Sequence, residues 1–413
     1  PSRAMLMTGR TLYHLDRQGQ GIPDQHVLLG EALAKAEYTT FGTGKWHNGP
    51  AAYARSFSDG AEIFFGGMDD HWNVPACDFD PSGEYDVSVP VVRDPYGGND
   101  VTHRRCDHLS PGKHSSELFA DAAIESLESY TGQDPFFMYV SFMAPHDPRT
   151  MPAQYLEMYE DTEIELPSFM PQHPFDNGEL WIRDEKLAAW PRTEQEIRQH
   201  NIEYYAMITH LDAQIGRILE ALEEKGLEEN TIVVLAGDNG LAIGRHGLMG
   251  KQNLYDHSLH VPLIFAGPGV PRGAQRAGYC YLIDIYPTLC DLLGLPIPDT
   301  VEGKSLIPAM QDSSVGTRDH LLFAYRNVQR AVQGPRYKLI EYVVEGERTT
   351  QLFDLPADPW ELNNLSGDPE HAEHLVTLRQ QLQRWQSELD DTQSGQGADF
   401  WTGFERTSFS QTL

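Results

Sequence analysis

Four apolar runs along the chain lack polar alternation, and each one stops at a cluster of Gly, His or Asp. Tyr38-Thr39-Thr40-Phe41 leads into Gly42-Thr43-Gly44-Lys45-Trp46-His47. Phe136 to Phe142 leads into Ala144-Pro145-His146-Asp147. Thr231 to Ala236 leads into Gly237-Asp238-Asn239-Gly240, and Val261 to Ala266 into Gly267-Pro268-Gly269. Runs of this kind suit strands buried on both faces, as in a parallel sheet. Helical periodicity fills the intervals. Thr193-x-x-Glu196 after Pro191 reads as a capping box. Tyr204, Ile208, Leu211, Ile215, Ile218 and Leu222 then recur at three- and four-residue steps, and Gly226 is placed to end the helix. A shorter helix is predicted over about 115–130.

The pattern changes after about residue 311. Segments 320–325, 328–333, 336–343 and 349–354 read as short antiparallel strands. A helix follows with Leu375, Leu378, Leu382, Trp385 and Leu389 on one face, and the last twenty or so residues, rich in Gly, Ser, Gln and Thr, read as an irregular tail. The predicted fold class is therefore α/β: a mostly parallel central sheet with helices on both faces over residues 1–310, then a smaller α+β subdomain with an antiparallel sheet over 311–413. In parallel sheets ligands bind beyond the carboxyl ends of the strands, and the polar clusters fall at those ends. No internal repeat is evident.

Composition narrows the partners. Hydrophobic residues make up 40% and charged residues 22%, ordinary globular usage. No run approaches the about 18 apolar residues of a membrane span. A net charge of −30 argues against nucleic acid as partner. It also requires that any site for an anion gather its own local cations. Cys77, Cys106, Cys280 and Cys290 show no CxxC spacing, which argues against zinc and leaves disulfides or buried thiols open. The start, PSRAMLMTGR, reads as the inside of a domain.

Five constellations carry candidate chemistry. Asp238-Asn239 offers hard oxygen ligands suited to calcium or magnesium, although Asp-Asn-Gly alone is an ordinary turn. Lys251 lies in a Gly-rich loop after Gly244-Arg245-His246-Gly247 and suits an anionic oxygen. Lys45 and His47 are two apart and face one side of an extended backbone. His146, flanked by proline, is a candidate general acid near neutral pH. The fifth is the start itself. Pro1-Ser2-Arg3-x-x-x-Met7-Thr8-Gly9 closely resembles the remainder of the type I sulfatase signature, in which a Cys and one further residue precede Pro-Ser-Arg. Five more elements keep the order of that family: Gly-Lys-Trp-His at 44–47, Pro-His at 145–146, Asp-Asn-Gly at 238–240, His-Gly…Lys at 246–251, and Gln351-Leu352-Phe353-Asp354-Leu355…Asn364-Leu365.

The resemblance, closest to the iduronate-sulfatase-like and polysaccharide-sulfatase branches, implies an alkaline-phosphatase-like fold and a sulfuric ester hydrolase acting on a sulfated carbohydrate or another sulfate ester. It implies one calcium ion and a formylglycine made from a Cys or Ser upstream of Pro1, whose hydrate attacks sulfur. By the same resemblance Arg3 steadies that residue, Asp238 and Asn239 are two calcium ligands, and Lys45 and Lys251 neutralise the sulfate oxygens. His47 contacts the formylglycine hydroxyls, and His146 protonates the leaving alcohol. Arg149, Arg245, His246 and His257 are candidates for holding substrate, with His103, Arg104, Arg105 and His260 behind them. A periplasmic or extracellular location is implied. The nucleophile and a pair of adjacent Asp ligands fall before Pro1, so the 413-residue chain is expected to be inactive and its longer parent active. A phosphonate monoester or phosphodiester hydrolase of the same superfamily, and a non-catalytic binder of sulfated glycans, are the alternatives; oligomeric state is left open.

Overall fold

The computed structural model describes residues 1–15, 21–92, 94, 96–393 and 395–410. Thr39–Lys45 is the middle strand of a three-stranded parallel sheet, flanked by Asp59–Phe64 and Phe136–Ser141. The helices Leu29–Lys35 and Pro50–Ser56 cover one face, where Leu29, Leu33, Tyr53 and Phe57 join Ile285, Tyr286 and Leu289 in the main core. Ser115–Ser129 covers the other face through Leu118 and Phe119, which pack on Phe64, Val74 and Met143. Burying each such side chain contributes about 1.5–3 kcal/mol, so the two layers hold the strand ends rigidly.

The remaining two apolar runs behave differently from expectation. Val233–Ala236 and Leu263–Ala266 pair with each other, antiparallel, Val233 opposite Ala266. Length and apolarity specify a buried strand but not the direction of its partner.

The long helix runs Glu194–Glu224; the Thr193 side chain accepts from the Glu196 N–H at its start and Gly226 follows at φ 68°. Its buried positions include Ile197, Ala206, Met207, His210 and Gln214, while Ile208, expected inside, is exposed. The helix lies against Ser115–Ser129 and Ala153–Glu157, and polar side chains on that face find partners there: His210 reaches Glu117 at 3.2 Å.

Leu321–Tyr325, Gln329–Gln333, Tyr337–Val344 and Glu347–Asp354 form a four-stranded antiparallel meander, and Ala372–Glu388 packs Leu378 and Leu382 on it. The expected irregular tail is a helix, Gly395–Ser410. Phe400 and Trp401 are buried against the same sheet, and Arg330 forms a two-pronged ion pair with Asp391, which also accepts from the Trp401 indole at 2.7 Å. With Phe404, these aromatic anchors outweigh the small polar residues around them. All four cysteines are free thiols.

Candidate active site

Three strands end at one place. The Thr39–Lys45 strand carries a bulge: its register against Asp59–Phe64 shifts between Thr43 and Gly44. Gly44 has φ 85°, and a Cβ there would stand 2.2 Å from the Ser141 carbonyl oxygen, so only glycine lets the two strands close. That closure sets Lys45 beside Ser141 and leads the chain to His47. Phe136–Ser141 ends at Phe142 and the 143–150 loop with His146. Val233–Ala236 ends at Asp238 and Asn239. Gly240 follows, where an added Cβ would meet the His257 carbonyl oxygen at 1.9 Å; the turn is pressed onto the Asp256–Leu259 helix.

Arg3, at the start of the Ser2–Thr8 helix, ties these ends together. Its Nε donates to Asp238 Oδ2 at 2.9 Å and its Nη1 to Ser141 Oγ, with longer contacts to the carbonyls of Lys45 at 3.4 Å and Phe142 at 3.5 Å. The planar guanidinium fork is what allows one side chain to serve three strand ends.

The charges act on one another. Burial alone would raise the Asp238 carboxyl, but Arg3, Lys45 and Lys251 outweigh it and hold it below the usual carboxylate range. Burial, then Arg3 and Lys251, push the Lys45 ammonium down to about 8. His47 is exposed at the rim, yet desolvation by its surroundings, Lys45, the terminal amine, Arg3 and Lys251 push its imidazole down to about 4. Burial lowers His146, and Lys251 and Lys45 lower it further against the opposing pull of Asp147. The structure thus brings Arg3, Lys45, His47, His146, Asp238 and Lys251 into one cluster, with three permanent or near-permanent cations inside a chain of net charge −30.

Some participants had no motif to reveal them. Asp147 has Oδ1 3.3 Å from His146 Nδ1 and is paired with Arg183. Asp184 lies near Lys251 and His146, and accepts from Gln252 Nε2 at 2.7 Å; Gln252 in turn accepts from the Lys251 N–H at 2.9 Å. Arg183 and Asp184 come from the start of the short 3-10 helix Asp184–Leu187, which is distant in sequence from the loops it braces.

The expected substrate contacts divide. Arg149 lies on the His146 loop and donates from Nη1 to His200 Nδ1 at 2.8 Å. Arg245 lies over the Trp360 ring at 5.5 Å. His246 is a correction: it is buried, stacked on Tyr255 at 3.9 Å and 6°, because the core beneath the antiparallel sheet needs a flat ring there. His257 packs in the same group, 5.6 Å from the Tyr255 ring and 5.5 Å from His246. Arg104 is paired with Asp69, and His103, Arg105 and His260 are exposed outside the cluster.

Asp238 and Asn239 offer a carboxylate kept ionised and an amide oxygen, the donor type a hard cation takes. Such an ion takes six to eight oxygens. Among the described residues no group of three or more His, Cys, Asp or Glu comes together as a metal site. The two residues therefore fit calcium as part of a ligand set only.

Against known proteins, residues 1–295 match the family model described as Sulfatase, and residues 244–388 match the model described as N-sulphoglucosamine sulphohydrolase, C-terminal. The multifunctional alkaline phosphatase superfamily protein PehA of Trinickia caryophylli is 27% identical over 434 residues, 93% of this chain and 84% of that protein. An arylsulfatase of Clostridium perfringens is 30% identical over 276 residues, 65% of this chain and 57% of that protein. The chain thus spans little more than half the length of that arylsulfatase. Among solved structures, BT4656 in complex with its substrate D-glucosamine-2-N,6-O-disulfate has a TM-score of 0.68 at 22% identity, covering 96% of this chain and 89% of that one. A phosphonate monoester hydrolase from Silicibacter pomeroyi has a TM-score of 0.69 at 22% identity, covering 94% and 85%. These likenesses establish the fold. With the family model spanning every segment that reaches the cluster, the chain belongs to the sulfatase family of sulfuric ester hydrolases, in the alkaline phosphatase superfamily.

Proposed function

We propose that this chain forms the sulfate-recognising and proton-donating part of a hydrolase that removes sulfate from a sulfated carbohydrate in the periplasm or outside the cell. The observation that carries the reading is the convergence of Arg3, Lys45 and Lys251 around Asp238, with His47 and His146 alongside, at the carboxyl ends of the strands. In a protein of net charge −30 such a concentration of cations fits an anionic group bound locally. The C-terminal match to a sulphohydrolase of N-sulphoglucosamine supports a sulfated sugar.

Lys45 and Lys251 supply positive charge where the sulfonyl oxygens gather negative charge in the transition state. Arg3 keeps Asp238 ionised and the strand ends in register. His146 donates a proton to the leaving alcohol oxygen. The Asp147 carbonyl oxygen, 2.9 Å from Nδ1, orients the ring, and together with the Asp147 carboxylate at 3.3 Å it favours the charged form. His47, held neutral, accepts or relays a proton at the mouth of the cluster. A formylglycine hydrate would supply the attacking oxygen, and a calcium ion held in part by Asp238 and Asn239 would add charge opposite the sulfate.

The test is sulfate release from N- and O-sulfated glucosamine and from 4-nitrophenyl sulfate, beside turnover of a phosphonate monoester. The protein that includes the signature Cys or Ser is expected to bind sulfate and to hydrolyse sulfate esters. Preference for the phosphonate would select the alternative, a phosphonate monoester or phosphodiester hydrolase of the same superfamily. Binding with no turnover by that protein would leave a glycan-binding module.

A further inference from the structure

A second concentration of histidines lies behind the cluster, and the proposed chemistry does not use it. His71, His114 and His210 are each 0% exposed. The His71 and His114 rings stack at 5.0 Å and 6°, and His210 meets His114 at 4.6 Å and 68°. Three successive imidazoles without solvent disfavour any charge: burial, then its two neighbours, push His114 down to about 3, and burial lowers His71.

The partners of two of these rings fix their tautomers. His71 Nε2 is 3.0 Å from the His146 carbonyl oxygen, and His114 Nε2 is 2.9 Å from that of Thr150. A carbonyl oxygen only accepts, so both Nε2 atoms carry the hydrogen. Each Nδ1 is then an acceptor, from the Ser115 hydroxyl at 2.7 Å for His71 and from the Ser116 N–H at 3.2 Å for His114. With every nitrogen of both rings engaged, neither is available to ligate a metal. Ser115 also donates its N–H to the His71 carbonyl oxygen at 2.7 Å. His114 is the N-cap of the Ser115–Ser129 helix.

The pair therefore bolts a helix start, itself packed on the parallel sheet, to the loop that carries His146. That loop is without regular structure over 143–150. We infer that His71 and His114 are positioning residues which set the His146 ring at its working place by holding the His146 and Thr150 carbonyls. The inference rests on the proton-donor role proposed above for His146. A general acid acts only within hydrogen-bond reach of the leaving oxygen, and a displacement of about 1 Å costs on the order of a hundredfold in rate.

The first arm of the test needs no turnover. In the 413-residue chain with 15N-labelled histidine, long-range proton–nitrogen spectra are expected to show His71 and His114 as Nε2–H tautomers, unchanged from pH 8 to pH 5.5. An Nδ1–H tautomer or a titration in that range at either ring overturns the clamp, whatever the chain catalyses. The second arm uses the catalytically active, upstream-extended protein. His71→Phe removes the donor and His71→Gln keeps an N–H. On a sugar sulfate His71→Phe is expected to lose about 30-fold in kcat with KM nearly unchanged, and Gln to restore most of it. On 4-nitrophenyl sulfate, whose phenolate leaves without a proton, the loss is expected to be small. Equal losses on both substrates would mean a merely structural role and overturn the proposal. If His71→Phe does not fold, His114→Asn keeps the helix cap but releases Thr150, and the same split between substrates decides. Absence of wild-type turnover on both substrates would sink the functional reading instead, and the tautomers would still decide the clamp.

Discussion

Acidification from pH 7.5 to 5.5 should cost this fold several kcal/mol, and the cost can be assigned to particular rings. His114, His173 and His246 are each at most 4% exposed. His173 lies with Nδ1 2.7 Å from the Phe175 carbonyl and Nε2 3.1 Å from the Tyr255 hydroxyl. His246 stacks on Tyr255. Burial, aided by neighbouring charge, pushes His114 and His246 down to about 3, and burial pushes His173 down to about 4. An unfolded histidine titrates near 6.5. Below that pH the unfolded chain takes up protons that the folded chain refuses, so stability is complete above about 6.5 and is lost as the pH falls toward 3–4. At pH 5.5 each ring costs about 1.4 kcal/mol, roughly 4 kcal/mol for the three, a large share of the about 5–15 kcal/mol typical of folded proteins. Urea unfolding of wild type and His114→Asn at both pH values measures it. Asn keeps an N-cap acceptor, and carboxylates common to both proteins cancel in the comparison. The loss between the two pH values is expected to shrink by about 1.4 kcal/mol in the variant. Equal losses in both proteins would refute the reasoning.

Sulfate affinity, measured by calorimetric titration, should fall about tenfold from pH 7 to pH 9, because Lys45 is charged below about 8 and neutral above it; Lys45→Gln should flatten the profile, and a flat wild-type profile would exclude Lys45 from the site. Arg3→Lys should weaken sulfate binding about tenfold at pH 7, since an ammonium cannot hold Asp238, Ser141 and two carbonyls at once; unchanged affinity would show the fork to be dispensable. Lys338, fully buried, pairs with Asp256 and Glu361 at 2.7 Å each. Lys338→Met should destabilise by about 3–5 kcal/mol by leaving Glu361 buried and unpaired. Adding Glu361→Gln should recover part of that in thermal unfolding, and a fully stable single variant would contradict it.

The long helix, the strand at 136–141, the first half of the strand Thr39–Lys45 and the four-stranded meander were legible from periodicity and run length, because those patterns are local; residues 42–45, expected as a Gly-rich turn, continue the strand. The residues of the cluster were legible as motifs, but their meeting was not. Gly44 reads as the first residue of the Gly-Lys-Trp-His element, and only the bulge and the Ser141 carbonyl show why it must be glycine. The C-terminal helix was hidden by small polar residues around Phe400, Trp401 and Phe404, whose stability comes from the sheet and not from helix propensity. His246 looked like a binding residue beside Lys251 and is a buried ring stacked on Tyr255, a contact that sequence spacing does not show. Asp147 with Arg183, Asp184 with Gln252, and the His71–His114 pair join segments far apart in sequence, and pairing across such separations leaves no periodic trace. The sequence by itself determined most of the element types, the family and the local cation supply. The tertiary structure decided strand direction, which histidines face the cluster and which brace it, because those depend on what each side chain meets once the chain has closed on itself.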